Sequence, residues 1–314
     1  MSNWKTAAQD ELAIVFAEAK AIIASFPAPL GVRGIRYLDK FNPLEANSTN
    51  NYICYSLPFW LQDAVFADAE SCRRLSLANV FIMLYFFIQD DVMDSAEVHK
   101  DWNEQLALSN LFYLSFLNLY RSSFHPCSPF WDYFNTYITD WAVSVATERQ
   151  VSKEPQNPLR FARKAGPLKL ASTGLLLLTA QEALIKPVSE MVDHVLITLQ
   201  MVDDWADWRE DLAEGNENSL LAFLHAELQL AAGEQLTPEQ INHALTVETR
   251  LDRFAEQALD RHERLLQLGI IQLPHLLAFH QALSQELVQA AQRLQQRKQL
   301  QLQGGFVSWL SAQT

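Results

Sequence analysis

Glycine and cysteine are both scarce in this chain of 314 residues. The few glycines bear on the fold class, and the few cysteines bear on the cellular compartment and on metal binding. Only 9 residues are glycine, which argues against an architecture of short strands and tight turns, because glycine supplies the backbone freedom that such turns need. The three cysteines, Cys54, Cys72 and Cys127, are scattered and form no C-x-x-C pair. That pattern is typical of a reducing compartment and gives no indication of a zinc site.

Basic residues and long apolar runs are also few. Lysine and arginine together number 24 against 37 acidic residues, a net charge of −13, which disfavours binding to nucleic acids and to anionic lipid surfaces. The longest apolar run covers residues 80–88, whereas a membrane-spanning helix needs roughly 20 residues. The N-terminus lacks the pattern of a secretory signal. We therefore expect a cytoplasmic protein with no membrane span and no nucleic-acid partner.

Helical periodicity is present along almost the whole chain. Hydrophobic residues make up 49% of it, and no alternating strand pattern, fixed-period repeat or flexible linker interrupts them. The sequence predicts one all-helical domain over residues 1–314 with about ten helices, an irregular segment at about 27–57 and a short C-terminal tail at 301–314. Ser71 and Thr237 are predicted helix N-caps. The predicted helices cover residues 6–25, 58–67, 71–94, 101–121, 128–152, 158–184, 188–213, 217–232, 238–246, 247–268 and 274–300.

Two acidic motifs of the form D-D-x-x-D are the most informative feature of the chain. The first motif (residues 90–94) follows the apolar residues 80–88, and the second motif (residues 203–207) follows the apolar residues 195–202, with the first aspartates of the two motifs 113 positions apart. Helices that are apolar on nearly every face belong at the centre of a bundle. Each motif therefore ends a helix that we expect to be largely buried.

The spacing of these acids predicts a site for divalent metal ions. Asp90 and Asp94, like Asp203, Asp207 and Asp211, recur every four residues and share one helix face. Their mutual repulsion, and the negative end of the helix dipole, make such a ladder unfavourable unless a cation offsets it. Oxygen ligands favour Mg²⁺ or Mn²⁺, often together with substrate phosphates. The alternative is a solvated acidic face without a ligand.

The motifs resemble those of class I isoprenoid synthases, the trans-prenyl diphosphate synthases and the terpene synthases of the same helical fold. Residues 199–207 are similar to the second aspartate-rich motif of the prenyl synthases, and residues 208–212 to the R-D-x-x-E-D region of phytoene and squalene synthases. Residues 163–168 resemble the K-T-G segment that binds diphosphate, and residues 31–36 weakly resemble the G-K-R segment. The resemblance implies an antiparallel helical bundle around a central cavity.

The resemblance also implies roles for individual residues. About two or three Mg²⁺ ions, or Mn²⁺, would bind the two motifs and the diphosphate of the substrate. For the cations the alternative is a surface salt bridge, and for the apolar residues it is ordinary core packing. The predicted catalytic metal ligands are Asp90, Asp94, Asp203 and Asp207, with Asp91, Asp204 and Asp211 as further ligands. The predicted diphosphate-binding residues are Lys164, Arg209, Lys169, Arg149 and Arg36, and the predicted substrate pocket contains Phe86, Phe87, Leu199 and Gln200.

One departure from the family pattern bears on the reaction. Chain-elongating prenyl synthases have an arginine pair shortly after the first motif, but residues 95–100 here read S-A-E-V-H-K. We therefore favour a terpene synthase, a lyase that ionises and cyclises one linear allylic prenyl diphosphate. A prenyltransferase that performs chain elongation or head-to-head condensation is the alternative, and a noncatalytic regulatory subunit of the same fold is a second one. The resemblance suggests a homodimer.

Overall fold

The structure, a computed structural model, describes residues 4–45, 52–94, 101–151, 159–231, 233–269 and 271–311. All regular secondary structure in those ranges is helical, with no strand, which confirms the predicted all-helical class. The helices are α1 Gln9–Ala24, α2 Leu30–Phe41, α3 Tyr52–Val65, α4 Ala69–Asp94, α5 Trp102–Ser123, α6 Phe130–Val151, α7 Leu159–Lys164, α8 Lys169–Leu178, α9 Ile185–Glu214, α10 Ser219–Glu227, α11 Pro238–Thr246, α12 Arg250–Gln267 and α13 Pro274–Ser311.

The prediction of an irregular segment at about 27–57 is wrong over much of its length. Helix α2 covers its first part and α3 begins within its last part, while residues 46–51 lie outside the described residues. The glycines of α2 serve packing rather than turning: a Cβ on Gly34 would lie only 2.6 Å from the Cγ2 atom of Ile23. Their absence of a side chain lets α2 approach α1 closely.

Three other boundaries differ from prediction. Asp68, not Ser71, caps α4, because its carboxylate accepts hydrogen bonds from the Ser71 amide at 2.8 Å and the Ser71 hydroxyl at 2.7 Å. The predicted helix 158–184 is divided by a 3-10 turn, Gly166–Leu168, where Pro167 lacks the amide hydrogen that an α-helix needs. The predicted tail at 301–314 is helical as far as Ser311, since two adjacent glycines weaken a helix by only about 1 kcal/mol each.

The predicted start of α11 is confirmed in atomic detail. The Thr237 hydroxyl accepts a hydrogen bond from the Gln240 amide at 3.2 Å, and the Gln240 side chain accepts one from the Thr237 amide at 2.8 Å. Pro238 occupies the first helical position. This reciprocal arrangement is a capping box, which satisfies two backbone donors at the helix start.

The chain forms two compact units. Unit 1 comprises Met1–Trp141, Ala165–Glu190 and Ile270–Ala278, and unit 2 comprises Ala142–Lys164, Met191–Gly269 and Phe279–Thr314. The chain passes from one unit to the other several times, so the units do not correspond to sequential halves. The single domain over residues 1–314 stays a prediction.

Helix α4 lies at the centre of unit 1, packed against α1, α3, α5 and α8. Buried Asn79 fixes its position, because its side-chain amide donates to the carbonyl of Cys54 at 2.9 Å and to that of Leu168 at 3.0 Å. Among the described residues, Ala69–Met93 is the one stretch long and apolar enough to cross a membrane, with mean hydropathy 1.4 over an 18-residue window, but 67% of that window is buried within the protein. Core packing accounts for that composition.

Unit 2 has an apolar core built from α10 to α13 and the later part of α9. Leu220 and Leu224 of α10, Ile241 of α11, Phe254 of α12 and Leu287 of α13 are all fully buried. Burial of large side chains of this kind contributes about 1.5–3 kcal/mol each. This core holds the part of α9 that carries the second acidic motif.

Candidate functional site

The first acidic motif forms the C-terminal end of α4 in unit 1. Asp90 is half-buried and Asp91 is exposed, and the Asp91 carboxylate accepts a hydrogen bond from the Tyr37 hydroxyl at 3.0 Å. Burial, followed by the charges of Asp91 and Asp90, raises the pKa of Tyr37 far above its ordinary value, so the phenol stays a donor. The side chain of Asp94 lies outside the described residues. Helix α2 therefore holds the end of α4 through Asp91.

The aromatic residues just before this motif are packed against other rings. Phe87 stacks on Phe41 of α2 with ring centroids 4.4 Å apart, and buried Phe86 lies 4.5 Å from the ring of Trp141. These contacts account for both side chains as part of the apolar core of unit 1. Their predicted role as walls of a substrate pocket stays a prediction.

The second acidic motif lies on the solvent-exposed side of α9 in unit 2. Asp203 and Asp207 are exposed and, at 100° per residue, lie about 40° apart around the helix axis, with Asp211 a further 40° away. Burial, then the charges of Asp204, Asp207 and Glu286, raises the pKa of Asp203 to about 7. Solvent still reaches this carboxylate, so its desolvation is partial. The neighbouring carboxylates add a concentration of negative charge to the effect of burial.

This acidic face is wider than the motif itself. Helical geometry places Glu210 and Glu214 on the same side of α9, and Glu214 contributes to the raised pKa of Asp211, which burial chiefly causes. Glu286 reaches the neighbourhood of Asp203 from α13. The ion pairs found in the described part of unit 2 use other carboxylates, such as Glu217 and Glu227. Periodicity would have identified the α9 acids, but only the tertiary fold identifies Glu286.

Asp204, by contrast, is a buried structural residue. Its side chain is 2% exposed; one carboxylate oxygen accepts from the Gln200 amide at 2.8 Å and the other from the Ser219 backbone amide at 2.7 Å. Burial raises its pKa, and these hydrogen bonds partly offset the effect. A metal-ligand role for Asp204, or a substrate contact by Gln200, would compete with these bonds. Leu199 is half-buried beside them.

Asn218 links the acidic face to the start of α10. Its amide nitrogen donates to the Asp204 carbonyl at 2.8 Å and to the Asp211 carboxylate at 2.7 Å, while its oxygen accepts from the Leu221 amide at 3.0 Å as the helix N-cap. The side chain is 2% exposed. Sequence reasoning missed this residue, although an asparagine immediately before an apolar run is a recognised N-cap signal.

The predicted diphosphate-binding cations occupy different environments. Lys164 is half-buried at the end of α7 in unit 2, and Arg36 is exposed on α2 in unit 1, next to Tyr37. Lys169, in unit 1, is only 7% exposed, with its ammonium 5.0 Å from the Tyr137 ring centroid. The side chain of Arg149 lies outside the described residues. None of these observations tests diphosphate binding, which stays a prediction.

Arg209 faces away from the acids of its own helix. It lies about 140° around α9 from the middle of the Asp203–Asp207 pair, and its guanidinium carbon is 4.3 Å from the centroid of the Trp208 ring. This position disfavours the predicted binding of Arg209 to the same diphosphate as those two acids.

The described residues contain no group of three or more His, Cys, Asp or Glu side chains arranged to hold a metal ion. A closed cage of protein ligands is not what Mg²⁺ requires, because this ion usually keeps several waters and uses one or two carboxylates together with substrate phosphates. The exposed carboxylates of Asp203 and Asp207 are suited to that open form of coordination.

A second group of titratable side chains in unit 2 surrounds His280. This histidine is fully buried, with its Nε2 atom 2.8 Å from the Thr198 hydroxyl and its Nδ1 atom 3.0 Å from Nδ1 of His262. Burial, then His262, His194 and Arg261, lowers the pKa of His280 to about 3. The neutral ring is therefore part of the folded core.

Protonation of His280 is expected to destabilise the protein below about pH 6.5. The folded-state pKa is lowered, so the stability that His280 contributes is complete above its unfolded pKa and is lost as pH falls from there towards 3. Urea unfolding between about pH 5 and 6.5 should show His280→Gln with a pH slope up to about 1.4 kcal/mol per unit smaller than the wild type. The exposed-site variant His125→Gln is the control; equal slopes in all three proteins would contradict the expectation.

Comparison with known proteins adds no family assignment. No family model matches the sequence, and no curated protein matches it. The functional hypothesis therefore depends on the acidic residues, their surroundings and the resemblance of the short motifs.

Proposed function

We propose that this protein is a class I terpene synthase, which ionises a linear allylic prenyl diphosphate in the presence of Mg²⁺ and cyclises the hydrocarbon chain with release of diphosphate. The acidic face of α9 carries this proposal. Exposed Asp203 and Asp207 lie one turn apart, and the pKa of Asp203 is raised to about 7 by burial and neighbouring carboxylates. A divalent cation would relieve that repulsion.

The residues present fit a site for hard cations. Asp203 and Asp207 would hold Mg²⁺ in unit 2, and Asp90 and Asp94 are the corresponding residues of the first motif in unit 1. Bound metal would supply charge neutralisation for the leaving diphosphate. Asp204 is held by hydrogen bonds from Gln200 and Ser219, so its contribution is to fix the position of α9 rather than to bind metal.

The remaining groups bind, orient and exclude water. Tyr37 holds the Asp91 carboxylate through a hydrogen bond of 3.0 Å, which orients the end of α4. Aromatic rings near this end, such as Phe86 and Phe87, offer faces that stabilise a nearby cation by about 0.5–2 kcal/mol each. Lys164, Lys169 and Arg36 are the proposed cations for the diphosphate.

The preference for cyclisation over elongation rests on the sequence of residues 95–100, which lack an arginine pair. A reaction of one substrate needs no second diphosphate site. Cytoplasmic location and homodimer formation stay predictions from composition and from the family resemblance.

The decisive experiment is product analysis. Purified protein with Mg²⁺ is incubated separately with ten-, fifteen-, twenty- and twenty-five-carbon allylic diphosphates, and the organic extract is examined by mass spectrometry while released diphosphate is measured. A cyclic hydrocarbon or alcohol from at least one substrate is expected. A parallel incubation with added isopentenyl diphosphate that yields only a longer diphosphate would establish a prenyltransferase instead. Absence of turnover in every arm would favour the noncatalytic alternative.

A further inference from the structure

Unit 2 contains a recess on a different side of α9 from the acidic face. Its volume is about 390 Å³, within the range of about 300–1,000 Å³ typical of small-molecule sites. Helices α9, α11 and α13 form its walls. The residues that matter for the chemistry are Trp205, Trp208, Arg209, Val247, Arg297 and Lys298.

Positive charge is concentrated in this recess. Arg209, Arg297 and Lys298 all line it, and none of the described lining residues is a carboxylate. The chain as a whole has a net charge of −13, so three cations from two different helices are an unusual local excess. Cations placed together repel each other, and an anion between them would remove that repulsion.

Two of these cations are held in place by neighbouring groups. The Arg209 guanidinium lies 4.3 Å from the centroid of Trp208, a side chain only 3% exposed, so a cation–π contact with a fixed ring helps to hold a group whose N–H donors suit phosphate oxygens. The Lys298 ammonium donates to the Val247 carbonyl at 2.5 Å, which fixes its position while two further donors remain.

The recess also presents aromatic surface next to the charge. Trp205 is half-buried on its wall, and indole rings bind flat ligands by stacking as well as by apolar contact. A simple inorganic anion would use the cations alone. A ligand that combines an anionic group with a planar ring would use both features.

We propose that this recess binds a small phosphorylated molecule with a planar ring, of the nucleotide class, at a site distinct from the acidic face of α9. The phosphate groups contact Arg209, Arg297 and Lys298, and the ring lies against Trp205. Because Arg209 lies about 140° around α9 from the Asp203–Asp207 pair, this site requires neither Mg²⁺ nor those acids, and the proposal is independent of the proposed terpene synthase activity.

Isothermal titration calorimetry with ADP, in buffer containing EDTA, tests the proposal. The full chain should bind ADP saturably, and adenosine at least about tenfold more weakly, because a charge-assisted hydrogen bond contributes at least that factor. Arg297→Ala and Trp205→Ala should each weaken ADP binding about tenfold. Arg293, also exposed on α13 but outside the recess, provides the matched control, and Arg293→Ala should bind like the wild type.

Each contrary result would overturn the proposal. Absence of saturable ADP binding at millimolar concentrations, equal affinity for adenosine, or unchanged affinity in Arg297→Ala would each do so. Circular dichroism establishes that the variants are folded. Asp203→Asn should retain ADP binding in EDTA, so the result is separable from the outcome of the terpene synthase assay.

Discussion

Replacing Asp203 with asparagine is expected to abolish Mg²⁺-dependent turnover while making the metal-free protein slightly more stable. Both effects arise from the same negative charge. Burial and the carboxylates of Asp204, Asp207 and Glu286 raise the pKa of Asp203 to about 7, so ionisation of Asp203 opposes folding at neutral pH. The same negative charge is needed for the binding of a divalent cation.

The expected magnitudes differ greatly. Loss of one metal ligand removes several kcal/mol of charge stabilisation, which corresponds to at least about a hundredfold in rate. The gain in the free energy of unfolding should be only a few tenths of a kcal/mol, because the carboxylate is solvent-exposed and its repulsion is screened. Released diphosphate measures the first quantity and urea unfolding the second.

The stability difference should depend on pH with a defined sign. Since the folded-state pKa of Asp203 is raised, its contribution to stability is present below its unfolded pKa of about 4 and is lost as pH rises through about 7. The gain in the free energy of unfolding from Asp203→Asn should therefore be larger at pH 8 than at pH 4. Asp260→Asn, at an exposed position of α12, is the control. Full activity in Asp203→Asn would refute the proposed metal site.

Replacing Asn218 with alanine should produce the largest loss of stability among the exchanges considered for unit 2. The side chain makes three hydrogen bonds, to the Asp204 carbonyl, the Asp211 carboxylate and the Leu221 amide. Removal leaves polar groups without partners in a site where Asn218 itself is 2% exposed. Loss of a helix cap and of buried hydrogen bonds together should cost about 2–4 kcal/mol.

Thr237 provides a matched comparison because it is also a helix N-cap but lies in an exposed loop. Thr237→Ala removes a capping box at α11 and should cost only about 1 kcal/mol. Urea unfolding of both variants measures the difference. If the two alanine variants are equally destabilised, the link from Asn218 to the acidic face contributes nothing beyond ordinary capping.

Sequence patterns predicted those parts of the fold that depend on local periodicity. The long apolar runs before residues 90–94 and 203–207 identified α4 and α9, and the threonine-proline pair identified the start of α11. Helix α2 could not be recognised because its glycines resemble those of a turn; only the contact between Gly34 and Ile23 shows why glycine is needed within a helix.

The candidate site was predictable only in part for a similar reason. Four-residue spacing identified the Asp203–Asp207 face, but spacing alone does not distinguish Asp203 from adjacent Asp204, whose carboxylate is occupied by Gln200 and Ser219. Nor does it identify Glu286, which reaches Asp203 through the packing of α13 against the rest of unit 2. Such contacts depend on tertiary structure, which periodicity does not contain.

The adjacent residues Asp203 and Asp204 are therefore expected to evolve under different constraints. Asp203 and Asp207 should be retained together while the protein binds metal. In any descendant that no longer binds metal, both positions should become free to change. Selection on Asp204 should instead be shared with Gln200, whose side-chain amide donates to it, and should persist in such a descendant because the start of α10 still depends on the Asp204 carboxylate. A degenerate lineage would lose the first aspartate of the motif and retain the second.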